Sequence, residues 1–158
     1  MRVGNGYDVH KLKTGTEIIL CGVKIPHNKT LVGHSDADVA MHALTDSIFG
    51  ALCEGDIGIH FPPTDSTWEN ANSEIFLNKA LLLMSEHKFE ILNLDITIVC
   101  ESPKIKDYAL DMRKNIARIC QVNLNQVSIK GTTSERLGFI GRNEGIATFA
   151  TVLLKEDE

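Results

Sequence analysis

The sequence predicts an α+β fold, a two-layer sandwich in which a mixed β-sheet is covered by helices on one face. Two observations carry this reading. Apolar residues at alternating or continuous spacing mark strands at both ends and in the middle of the chain. Apolar residues at helical spacing mark two consecutive helices between the second and third strands and another after the third. The order is β-β-α-α-β-α-β-β, which places the helices outside a mixed sheet. No internal repeat, low-complexity tract or long linker interrupts the 158 residues, so residues 1–158 are expected to form one domain.

Residues 2–9 and 17–25 read as strands, the second stopped by Pro26. Ser35 and Asp36 are placed to cap a helix over 37–53, where Val39, Ala43 and Leu44 are followed by Ile48 and Leu52. A polar loop rich in Pro, Asp and Asn runs from Gly55 to Asn72. Ser73 opens a helix reaching about Lys88, with Ile75, Leu77, Leu81 and Met84 as its buried side. Ile91 to Cys100 is a strand, Pro103 begins a helix ending near Gln121, and 127–132 and 145–154 are the last strands. The strands around Ile96 and Thr148 are apolar on both faces. Helices cover only one face, so the other is expected to meet a second copy of the chain.

Hydrophobic residues make up 43% and charged ones 23%, as in a globular protein, and the formal charge is −5. That balance argues against a general binder of nucleic-acid backbones, which needs a basic face. No run approaches membrane-spanning length and the N-terminus lacks a signal-peptide core, so the cytoplasm is the expected compartment, or a plastid-type one if a transit peptide has been removed. Cys21, Cys53, Cys100 and Cys120 contain no CxxC pair and read as buried free thiols.

The sharpest chemical signal is Asp8 with His10. Strand residues two apart share a face, so a carboxylate and an imidazole project together. His42 lies in the first helix, and one Asp with two His is an ordinary ligand set for a zinc ion with a position left for substrate. Asp38, His42 and Asp46 recur at four-residue spacing on one helix face. Asp38 or Asp46 is therefore placed to accept the proton from the imidazole nitrogen that does not bind metal. His34 and Ser35 precede this helix, whose N-terminal N–H groups suit a phosphate. Asp56 and Gly58, then Phe61-Pro62-Pro63-Thr64-Asp65, form a loop able to line a pocket. Thr132-Thr133-Ser134-Glu135 offers hydroxyls and a carboxylate at a strand end, suited to phosphate oxygens and Mg²⁺. Phe139 and Arg142 follow, and a guanidinium binds anions bidentately. These residues alone leave open a phosphotransfer enzyme, a binding protein or a metal-dependent phosphohydrolase.

With those motifs assembled, the chain resembles the 2-C-methyl-D-erythritol 2,4-cyclodiphosphate synthase family of the non-mevalonate isoprenoid pathway. The likeness rests on Gly6-Tyr7-Asp8-Val9-His10, on His34-Ser35-Asp36-Ala37-Asp38-Val39 with His42 to Asp46, and on Gly55-Asp56-Ile57-Gly58. Ser102-Pro103-Lys104, Thr132 to Phe139, Gly141-Arg142 and Glu144-Gly145 complete it. The resemblance implies a homotrimer with sheets packed around a three-fold axis and active sites between subunits. It implies that 4-diphosphocytidyl-2-C-methyl-D-erythritol 2-phosphate is cyclised with release of CMP.

The resemblance further assigns Zn²⁺, or another divalent transition metal, to Asp8, His10 and His42, and Mg²⁺ or Mn²⁺ to Glu135. His34 and Thr133 orient the reacting phosphates and Ser35 donates to them. Asp56, Ile57 and Gly58 approach the sugar portions, and Phe61, Pro62, Pro63, Thr64 and Asp65 fold over the erythritol. Cys100, Glu101, Ser102, Pro103, Lys104, Ile105 and Lys106 form the cytidine pocket with Gly131, Thr132 and Ser134. Arg142, Phe139, Tyr7 and Glu144 surround an axial cavity that in this family holds an isoprenoid diphosphate. Pro63 stands where many relatives carry Asp, leaving Asp65 to bind the hydroxyl. Some relatives are fused to a cytidylyltransferase domain, which a chain beginning on the metal-ligand strand is expected to lack.

Overall fold

The computed structural model describes residues 1–157. Five strands form a mixed sheet in the order β4-β1-β7-β5-β6: Lys29–Val32 (β4), Arg2–Thr14 (β1), Gly145–Glu156 (β7), Phe89–Val99 (β5) and Val127–Thr132 (β6). Only β5 and β6 run parallel. Glu17–Leu20 (β2) and Val23–Pro26 (β3) make a separate hairpin. The helices are Val39–Leu52 (α1), the single turn Ile57–His60 (α2), Glu74–Glu86 (α3), Ala109–Cys120 (α4) and the single turn Gly138–Gly141 (α5).

The predicted α+β class holds, with differences of physical origin. The segment 17–25 is not one strand, because Cys21 and Gly22 take left-handed backbone (φ 51° and 75°) and reverse the chain. The edge strand β4 was not foreseen; at four residues it is too short to show a period. The first helix starts at Val39, one residue beyond its N-cap, Asp38, whose side chain accepts from the Met41 N–H. Ser35 and Asp36 therefore lie outside the helix.

The core lies between the sheet and α1, α3 and α4. Ile96 and Ile98 of β5 and Ile146, Ala150, Val152 and Leu154 of β7 are buried beneath them. The side chains on the opposite sheet face remain open in the single chain: Val3 is 68% exposed, Tyr7 50% and Phe149 46%. Tyr7 and Phe149 are register partners, and their ring centroids lie 4.8 Å apart. Three cysteines are buried and Cys53 is exposed, all four as free thiols. Among the described residues no helix is long and apolar enough to cross a membrane.

Two glycines decide how the layers meet. A Cβ on Gly4 would lie 1.7 Å from the Ser47 carbonyl oxygen, and one on Gly6 would lie 1.9 Å from that of Ala43. Their bare backbone lets α1 rest directly on β1. Asp8 and His10 continue the same face of the strand, so His42 arrives beside them.

Candidate active site

Asp8, His10 and His42 converge: the first two share a face of β1 as their two-residue spacing predicts, and His42 joins them from α1. The Asp8 Oδ2 atom lies 3.0 Å from His10 Nε2 and 3.1 Å from His42 Nδ1, and the two imidazole nitrogens are 3.0 Å apart. Each histidine is fixed from behind. His10 Nδ1 is 3.0 Å from the Val32 carbonyl oxygen, which can only accept, so the proton sits on Nδ1 and Nε2 presents a lone pair. His42 Nε2 faces the hydroxyls of Ser73 at 2.9 Å and Ser35 at 3.0 Å, leaving Nδ1 to face Asp8. Three lone-pair donors thus crowd one point, an arrangement a shared cation stabilises.

The triangle fits such an ion. Nitrogen and oxygen ligands bind zinc at about 2.0–2.2 Å, which puts tetrahedral neighbours roughly 3.3–3.6 Å apart, close to the spacing found. Burial alone would raise the Asp8 carboxyl; in the metal-free chain His10 and His42, when protonated, outweigh it by donating to Asp8 and by their charge, holding the group well below the usual carboxylate range, and a cation at the same point takes over that role.

The supporting acids are not those the helix spacing suggested. Asp38 is fully buried and accepts the backbone N–H groups of Cys21, Gly22 and Met41, so it fastens the hairpin turn to the start of α1. Burial and the charge of Asp36 raise its carboxyl against those bonds. Asp46 accepts the Ile57 N–H at 2.8 Å and holds α2 in place, with its carboxyl raised chiefly by burial. The acid behind His42 is instead Asp36, reached through Ser73. It was missed because it lies 37 residues from Ser73 in sequence.

One cavity, of about 430 Å³, opens beside the triad. His10, His34, Ser35, His42, Ile57, Gly58, Phe61, Pro63, Thr64 and Asp65 line it, whereas Asp56 and Pro62, expected on this side, are not on its wall. Its floor is an aromatic cluster: Phe61 lies 4.6 Å from Phe76 and 4.9 Å from Trp68, and Phe76 lies 5.8 Å from the His42 ring. Trp68 and Phe76 were not foreseen as site residues, because an aromatic residue in a loop or on a buried helix face reads as core. Asp56 and Asp65 each cap a turn, accepting from Ile59 and Thr67.

A second cavity lies elsewhere on the chain. Cys100, Glu101, Pro103, Lys104, Ile105, Lys106, Gly131, Thr132 and Thr133 line it. Ser102 receives a hydrogen bond from His27, Nε2 to Oγ at 2.8 Å. Glu101 Oε1 accepts from Ser134 N and Oγ and from Arg136 N, so it anchors the loop after β6. Glu135 and Arg136 in that loop hold positive φ of 55° and 62°, which turns the chain sharply after β6. Glu135 is exposed and offers a single carboxylate, enough for Mg²⁺ that also binds substrate phosphates. Arg142 is paired bidentately with Glu144 at 3.0 and 3.1 Å, and Phe139 is half-exposed nearby against Gly145.

The YgbB family model matches residues 1–155. The chain belongs to that family. It is 58% identical over 154 residues to 2-C-methyl-D-erythritol 2,4-cyclodiphosphate synthase of Roseobacter denitrificans, covering 98% of this chain and 97% of that protein. It is 56% identical to the bifunctional enzyme IspD/IspF of Ruegeria pomeroyi, covering 98% of this chain but 41% of the relative. This YgbB-family chain thus spans about two-fifths of such bifunctional relatives. Among solved structures it resembles IspF of Plasmodium falciparum in complex with CDP, with a TM-score of 0.89, 39% identity, and coverage of 99% of this chain and 97% of that one.

Proposed function

We propose that this chain converts 4-diphosphocytidyl-2-C-methyl-D-erythritol 2-phosphate to 2-C-methyl-D-erythritol 2,4-cyclodiphosphate and CMP. The observation that carries the reading is the Asp8–His10–His42 triangle, with its lone pairs converging beside a cavity whose other walls suit a polyol. Membership of the YgbB family and the relatives' names support it.

An oxygen of the 2-phosphate attacks the β-phosphorus, and the bond to the CMP oxygen breaks. The nucleophile is already anionic, so no strong base is needed; the obstacles are repulsion between phosphates and charge on the departing CMP. Asp8, His10 and His42 would hold Zn²⁺ and Glu135 would hold Mg²⁺ or Mn²⁺, and ions there would supply positive charge against both. His34, Ser35 and Thr133 donate hydrogen bonds to phosphate oxygens. The loop carrying Pro62, Pro63, Thr64 and Asp65 holds the erythritol over the aromatic floor, with Asp65 as its hydroxyl acceptor. The 100–106 segment with Gly131 and Thr132 holds the cytidine. Tethering both groups in one substrate contributes on the order of 7–11 kcal/mol when geometry is favourable.

The working unit is a homotrimer, with each active site shared between neighbours. No residue lines both cavities, and β1 and β6 are three strand steps apart in the sheet, about 14 Å. A compact substrate is reached by both halves when the second comes from an adjacent copy. The open apolar face with Val3, Tyr7 and Phe149 gives those copies a surface to pack on. Arg142, Phe139, Tyr7 and Glu144 are then available around the axis to an isoprenoid diphosphate.

Mass spectrometry of products, with and without chelator, tests the function. The cyclic diphosphate and CMP are expected only with divalent metal. Release of inorganic phosphate instead identifies a phosphohydrolase, and unchanged substrate identifies a binding protein.

A further inference from the structure

Ser73 stands at the start of α3, where a serine normally accepts a hydrogen bond from the helix's own first turn. Here it makes no such cap. The Asn72 side chain instead accepts the Glu74 N–H at 2.9 Å, and the Ser73 hydroxyl points the other way. It is completely buried and donates to Asp36 Oδ1, and its lone pairs face His42 Nε2 at 2.9 Å. Asp36 is fixed in turn. It accepts the Ser73 N–H at 3.0 Å and the Asp38 N–H at 3.1 Å, so its carboxylate is held against the serine from two directions.

We propose that Ser73, polarised by Asp36, is a positioning residue for the metal ligand His42. It keeps the imidazole proton on Nε2, keeps Nδ1 a lone-pair donor, and sets the ring angle toward Asp8 and His10. This deepens the metal-site reading above and rests on it. The capping role passes to Asn72, so the Ser73 hydroxyl is free of its usual local duty and serves the neighbouring ring instead. Ser35 also lies 3.0 Å from His42 Nε2. It is only half-buried, lines the cavity, and accepts the Ala37 N–H at 3.2 Å. Its proton remains available to substrate, whereas that of Ser73 is committed to Asp36. The two serines therefore divide the work, one orienting the ligand and one facing the phosphate.

The test uses the full chain stripped of metal, with Zn²⁺ alone as probe in competition with a chromophoric chelator. Ser73→Ala and Asp36→Asn should each weaken zinc binding by about 10- to 100-fold, the usual cost of losing a group that orients a metal-bound histidine. Ser73→Thr keeps the hydroxyl and should restore most of the affinity. In parallel, imidazole ¹⁵N spectra of the metal-free protein should show His42 protonated at Nε2 in the wild type and a mixture of tautomers in Ser73→Ala. Equal zinc affinity and equal spectra for wild type and Ser73→Ala overturn the proposal, even if Ser73→Ala melts at a lower temperature. If the wild type takes up no zinc, the metal-site reading fails separately, and the spectra alone then support or overturn the role given to Ser73.

Discussion

Gly6 lies so close to Ala43 that a Cβ on it would come within 1.9 Å of the Ala43 carbonyl oxygen. The atom in the way is backbone in the middle of α1 and cannot swing aside. Gly6→Ala must therefore lift the helix that carries His42 away from the strand that carries Asp8 and His10. Overpacking of a core commonly costs about 1–3 kcal/mol, and a clash with helix backbone should reach or exceed the upper end. Thermal unfolding should show that loss, and metal analysis should show bound divalent metal falling with it.

The same relationship shows what was legible. The pair Asp8 and His10 could be read because strand geometry puts residues two apart on one face. Placing His42 with them needed the close approach that Gly4 and Gly6 permit, which no local periodicity announces. The acceptor for His10 belongs to Val32, at the end of a strand too short to recognise. The four-residue spacing of Asp38, His42 and Asp46 suggested carboxylates for the imidazole, although Asp38 is the N-cap of α1 and lies outside the helix. Their carboxylates are nonetheless occupied by the backbone N–H groups of Met41 and Ile57, a competition that spacing alone does not reveal. What the sequence hid are pairings between distant segments, Asp36 with Ser73 and His27 with Ser102.

Glu101 binds three donors of the loop that carries Thr133 and Glu135. Glu101→Ala should release that loop and lower kcat by about 10- to 100-fold, the scale of a misplaced reacting group, with Glu101→Gln intermediate. The Arg136 N–H and then the Ser134 donors hold the Glu101 carboxyl below its usual range. Because the folded value is the lower one, its grip is complete above the ordinary glutamate range and fades as pH falls through the folded value. Steady-state rates of the wild type should therefore drop on the acid side. The Glu101→Gln profile, carrying no carboxyl there, should be flatter.

His27 reaches the loop beside the second cavity, the proposed nucleoside side, from the turn between β3 and β4. Its Nδ1 accepts the Lys29 N–H at 3.0 Å, so Nε2 carries the proton given to Ser102. His27→Ala should loosen the cytidine loop equally in ground and transition states. KM should then rise by roughly 2- to 10-fold with kcat little changed, as for one lost hydrogen bond. A matching fall in CMP affinity, measured by calorimetry, checks the assignment.

The separation of the two cavities leads to a test that mixes inactive chains. His42→Ala removes a ligand from the first half-site, and Glu135→Ala removes the carboxylate from the second. Each variant alone should be nearly inactive. When both are co-expressed and assemble at random, an interface joins intact His42 from one chain to intact Glu135 from its neighbour in about one case in four. Activity per site should therefore recover to roughly a quarter of wild type. A site built within one chain allows no such recovery, since every chain in the mixture carries a lesion. Restoration on mixing, with a trimer mass by light scattering, follows only if the phosphate-bearing metal cleft and the nucleoside loop meet across a subunit boundary.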